Sequence, residues 1–180
     1  SMKESKINIK DLDALMGAQS VTEIDLSGTD VEDLRAILYL QNLKSLNLSG
    51  CKKLNLESLS GLKDFKTLKS LNVSNLGIKD LKIITDNMKD LEELDISGNL
   101  QITDLENIHN LPNLKVLKAS GIGLTSIKNI SDATQITELD ISNNDFSKAT
   151  KSDAQTLAHL YNLTSLNVSN SHIPDEYLDE

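Results

Sequence analysis

The chain has 180 residues, 38% hydrophobic but only 3% aromatic, so any core it builds has to be aliphatic. Its formal net charge of −9 argues against nucleic acid and anionic membranes as partners. No apolar run is long enough to span a membrane, no stretch reads as a signal peptide, and a single cysteine, Cys51, excludes a disulfide within the chain.

In chain order, residues 1–20 read as a repeat entered part-way. Ile9 stands twelve residues before Val21, as Val31 stands twelve before Leu43, and Leu12 matches Leu34. From residue 21 to 173 one pattern, clearest in residues 91–99 as L-x-x-L-x-L-S-G-N, recurs seven times. The copies begin at Val21, Leu43, Leu68, Leu91, Leu114, Ile136 and Leu163, at spacings of 22, 25, 23, 23, 22 and 27 residues. Residues 174–180 form a tail in which Tyr177 and Leu178 either fold over the last coil or lead into further chain. The second is expected, which makes 1–180 a single domain cut from a longer protein.

Each copy predicts one short strand. Its second and third apolar positions lie two apart and share a face, whereas the residue between them points the other way. That intervening residue is Asp25, Asn47, Asn72, Asp95, Lys118, Asp140 or Asn167, polar every time. A serine then follows in all seven copies, and after it a Gly or Asn, residues that tolerate the left-handed backbone of a tight turn. This strict recurrence reads as structure rather than as a phosphate-binding or nucleophilic motif. Two positions after the serine, Thr29, Cys51, Asn99, Asn144 and Ser171 can hydrogen-bond the bend, but Leu76 and Ile122 cannot. Backbone groups in the third and fifth coils therefore need other partners. Cys51, at such a ladder position, is expected to be a buried structural thiol.

A period of 22–23 residues with this pattern is that of leucine-rich repeats. One coil cannot bury its own leucines, so the coils must stack. The fold expected is α/β: a right-handed solenoid of about seven coils, with a parallel sheet on the concave face and short 3₁₀ or helical convex legs. Two legs are longer. That after Cys51 holds three extra residues around 52–57. That after Asn144 carries Ser152 and Gln155 as a capping box, and Ala154, Leu157, Ala158 and Tyr161 follow at helical spacing, predicting a helix over residues 153–161.

Catalysis by a familiar route is not expected, nor a metal or cofactor. His109, His159 and His172 fall on different legs or at the end, without ligand spacing. The sequons at Asn47, Asn72 and Asn167 are by-products of the repeat; two more occur at Asn129 and Asn162. The informative surface is the concave face. Its outward columns read Glu23, Ser45, Ser70, Glu93, Val116, Glu138, Ser165 and Asp25, Asn47, Asn72, Asp95, Lys118, Asp140, Asn167. Lys118 should sit between Asp95 and Asp140 and relieve their repulsion. The candidate binding stripe is Glu93, Asp95, Val116, Lys118, Glu138 and Asp140, charge around one exposed aliphatic side chain.

Over residues 9–173, and most clearly in LKDFKTLKSLNVSNLGIKDL (62–81) and MKDLEELDISGNLQITDLENIHNLPNLKVLKASG (88–121), the chain resembles the short repeats of the bacterial internalins. The resemblance implies a surface or secreted protein that binds a host protein through its concave face; the chain is expected to be a monomer and not an enzyme. The aromatic residues often found on that face in internalins are missing here. Two other readings remain open: a structural spacer within a larger surface protein, and a cytoplasmic adaptor like the phosphatase-regulating leucine-rich proteins, whose repeats have the same length.

Overall fold

The computed structural model describes Leu15 and residues 17–174. Seven three-residue strands follow one another along the chain: β1 (Glu23–Asp25), β2 (Ser45–Asn47), β3 (Ser70–Asn72), β4 (Glu93–Asp95), β5 (Val116–Lys118), β6 (Glu138–Asp140) and β7 (Ser165–Asn167). They form one parallel sheet in the order β1 to β7, each strand beside the next. This is the leucine-rich-repeat solenoid expected from the spacing. The register is set by the inward column Ile24, Leu46, Leu71, Leu94, Leu117, Leu139 and Leu166, since a slip of one residue would turn every leucine to solvent. All of these but the last are buried; Leu166, in the terminal strand, is 41% exposed because no described coil covers it.

The bend after each strand is uniform. Gly28, Gly50, Asn75, Gly98, Gly121, Asn143 and Asn170, the residues after the seven serines, all have positive φ, between 54° and 71°. In the first six coils their N–H groups carry the pairing past the strand, as in Gly28 N–H to the Ser49 carbonyl (2.7 Å) and Gly98 N–H to that of Ser120 (2.8 Å).

Beneath the bends runs the buried ladder. Thr29 Oγ1 and Cys51 Sγ both donate to the Leu26 carbonyl, at 2.7 and 3.0 Å, so Cys51 is the buried structural thiol expected. Desolvation raises its pKa above the ordinary thiol value, against the hydrogen bonds from Thr29. The gaps at Leu76 and Ile122 are filled from the coil ahead. Asn99 Oδ1 accepts the N–H groups of Leu76 and Ile78, at 3.1 and 3.0 Å, while its Nδ2 donates to the Val73 and Ile96 carbonyls. Asn144 does the same for Ile122 and Leu124, at 3.1 Å each, and donates to the Ala119 and Ile141 carbonyls. Both asparagines are almost wholly buried.

The return legs are mostly 3₁₀ segments, with one short helix, α1 (Lys82–Thr85). Many begin on a side chain that accepts the N–H two residues on: Asp33 from Arg35, Asp80 from Lys82, Asp104 from Glu106. The long leg after Cys51 forms nine residues of 3₁₀ helix, Leu56–Asp64, more than a short leg was expected to hold. Asn55 caps it, accepting from Glu57 N–H at 3.1 Å.

The helix expected over residues 153–161 is present but begins earlier, as α2 (Lys151–His159). Thr150, not Ser152, is the N-cap, and Asp153, not Gln155, reaches back. Asp153 Oδ2 accepts both the N–H and the hydroxyl of Thr150 at 2.8 Å. Its Oδ1 accepts from Ser126 Oγ (2.6 Å) and Ile127 N–H (2.9 Å) of the preceding coil. A buried carboxylate with four donors outcompetes an exposed Ser/Gln box, and it turns the helix accordingly. Asp153, Thr156 and Leu160 face inward, Ala158 is exposed, and Tyr161 lies past the helix, 76% exposed. Ile9, Leu12, Tyr177 and Leu178 lie outside the described residues.

Two outcomes test this architecture. Leu94→Ala should cost about 2–5 kcal/mol in urea melts, whereas Leu166→Ala should cost under about 1.5 kcal/mol, because much of its surface is already wet. Burial pushes the Asp153 carboxyl up, but its hydrogen bonds from Ser126, Thr150 and Ile127 outweigh this and bring its pKa from 3.8 down to about 2. A depressed folded-state value stabilises above the unfolded pKa and is lost as pH falls through the folded one. Asp153→Asn should therefore destabilise by about 2 kcal/mol near neutral pH, and the gap to the parent should close between about pH 4 and pH 2.

Candidate concave binding face

On each strand the first and third residues face outward over the concave sheet. The predicted stripe is assembled in register: Glu93, Val116 and Glu138 pair across β4, β5 and β6, as do Asp95, Lys118 and Asp140. Glu93, Lys118 and Glu138 are exposed, and Val116 is half-buried rather than exposed as expected. Ser70, Asn72, Glu93, Asp95, Val116 and Lys118 line a shallow depression of about 330 Å³, counted to its open mouth. Ser70 Oγ donates to Glu93 Oε2 across its floor, at 3.2 Å.

The second column has a role the sequence reading missed. Asp25, Asn47, Asn72, Asp95, Asp140 and Asn167 each turn Oδ1 back to accept the N–H of the serine two residues later, at 2.9–3.1 Å. Six of seven coils thus close their bend with an Asx turn. The signal was present as an Asp/Asn column two residues before an invariant serine, but alternation alone marks such a column as merely outward. Lys118 cannot accept. In its coil the Ser120 N–H goes instead to Ser97 Oγ of the preceding coil, at 3.2 Å.

Lys118 lies level with Asp95 and Asp140, as predicted, but makes no ion pair with either, unlike Lys53 with Asp30 and Lys69 with Glu92. The charge relief expected of it is at most long-range. β5 therefore departs from the other coils at both outward positions at once.

Elsewhere the candidates for chemistry stay apart. His109, His159 and His172 are all exposed; His159 Nδ1 is bonded to the Gln155 carbonyl at 2.6 Å, and His172 lies 3.8 Å from Asp145. Among the described residues no three His, Cys, Asp or Glu converge on a point that could hold a metal ion, and no helix is long and apolar enough to cross a membrane.

Comparison with known proteins agrees with this geometry. Residues 18–99 match the family model described as the endo-beta-N-acetylglucosaminidase EndoS LRR domain. Internalin C2 of Listeria monocytogenes strain 4b F2365 superposes over 98% of this chain and 73% of its own, with a TM-score of 0.77 and 21% identity. TLR13, solved in a complex with ssRNA13, superposes over 92% of this chain at a TM-score of 0.71 and 19% identity, but this chain spans only 27% of it. No curated protein matches by sequence. At these identities the likeness is one of fold.

The Asx column yields a test. Lys118→Asn should give Ser120 N–H the turn acceptor of the other coils in place of Ser97 Oγ and raise stability by less than about 1 kcal/mol, a gain read as a higher urea midpoint at unchanged slope. A variant less stable than the parent would mean that Lys118 supports its coil in another way.

Proposed function

We propose that this internalin-like leucine-rich-repeat solenoid is a protein-binding module acting outside the cell, and that its partner seats on the concave face around β4, β5 and β6. One observation carries the reading. Lys118 stands where six other coils hold a turn-closing Asp or Asn, and Val116 stands beside it where other coils hold Ser or Glu. A local rule broken without gain to the fold points to a functional demand. Strands fix these side chains in space, and the half-buried valine offers a centre from which water is readily expelled.

The extracellular setting is supported by the resemblance to internalins. A protein partner is favoured over nucleic acid by the charge: acidic side chains at Glu23, Glu93 and Glu138 face the groove, and the chain carries −9 overall. The absence of Trp, Tyr and Arg from both outward columns suggests moderate affinity, with charge order rather than aromatic anchors providing selectivity.

The test is a comparison of variants against a partner captured by the full chain. Val116→Glu and Lys118→Glu should each weaken binding at least about tenfold, while Lys128→Glu, on an exposed return leg, should stay within about twofold. Unchanged affinity in both concave variants, with loss in the convex one, would move the interface to the return legs.

A further inference from the structure

Along the solenoid axis the face presents Glu93 and Asp95 on β4, Lys118 on β5, and Glu138 and Asp140 on β6. The order is negative, positive, negative. Lys118 leaves its ammonium free of ion pairs, although carboxylates stand level with it on both sides. On one side of this run, β2 and β3 present only Ser45, Asn47, Ser70 and Asn72.

We infer that the partner lays an α-helix along this groove, crossing the strands, with a basic, an acidic and a basic residue at i, i+4 and i+7 opposite β4, β5 and β6. The inference rests on the concave-face reading. Spacing chooses the helix. Parallel strands lie about 4.8 Å apart, so the three charges span about 9.6 Å. Helix residues i and i+7 lie on one face about 10.5 Å apart, with i+4 between them. An extended segment would present same-face residues about every 6.7 Å, so three of them would span about 13 Å and overshoot by most of a strand spacing. The half-buried Val116 faces the middle of the run, where the helix would bring an apolar stem or methyl group.

The probes are two synthetic helical peptides of identical composition. One carries Arg, Glu and Arg at i, i+4 and i+7 of a single face; the other carries Glu, Arg and Arg at the same three places. Fluorescence anisotropy at low salt should show the first bound at least about tenfold more tightly by the parent chain. Lys118→Asn, which removes the cation and offers Ser120 N–H the turn acceptor of the other coils, should reduce that preference to under about twofold.

Equal binding of the two peptides, no binding of either, or a preference that survives Lys118→Asn would each overturn the helix. If the helix fails but Val116→Glu still weakens capture of the partner, the concave face stands and only its occupant is wrong. If Val116→Glu and Lys118→Glu leave capture unchanged, the concave-face reading has failed as well.

Discussion

The main chain that leaves each strand passes from a half-exposed bend to a buried ladder position, where its N–H and C=O groups are shielded from water. Their satisfaction is the condition on which the rest of the solenoid depends, because an unmet buried polar group costs as much as a good contact provides. Three devices share the task. The left-handed residue after the serine continues the pairing to the next coil, the Asx turn closes the bend on the concave side, and the ladder side chains close it from beneath. Among the described residues no buried side-chain nitrogen or oxygen lacks a partner.

These devices explain how little aromatic mass the fold needs. Inward Leu, Ile and Val fill a core that is one coil thick, and uniform bends keep the coils stackable. Asp153 extends the same solution to the longest leg. Its carboxylate ties the start of α2 to Ser126 and Ile127 of the coil before, so the helix is fastened by hydrogen bonds as well as by packing.

Much of this was legible in the chain. The seven strands and their register follow from columns that repeat without exception, since a period of two within a period of about 22 permits only one stacking. The start of α2 was misplaced because two capping boxes overlap there, and the choice between them lies with Ser126, some twenty-seven residues away. The rescue of Leu76 and Ile122 was hidden for a similar reason: the donors and acceptors that matter belong to the next coil. The outward columns were legible as surface, but not as surface already half-committed to closing turns. That commitment is what makes Lys118 informative, because it distinguishes an idle departure from one that gives up the coil's own turn-closing acceptor.

The reach of Asn99 and Asn144 also bears on how such a chain can grow or shrink. Each asparagine serves its own coil and the one behind it, so the third and fourth coils form a couple, as do the fifth and sixth, with a dependent member followed by a provider. Excising a provider alone would strand the backbone of its dependent. Excising both would bring one intact bend against another. Among the third to sixth coils, the unit whose removal leaves no bend unmet is therefore the pair rather than the single repeat.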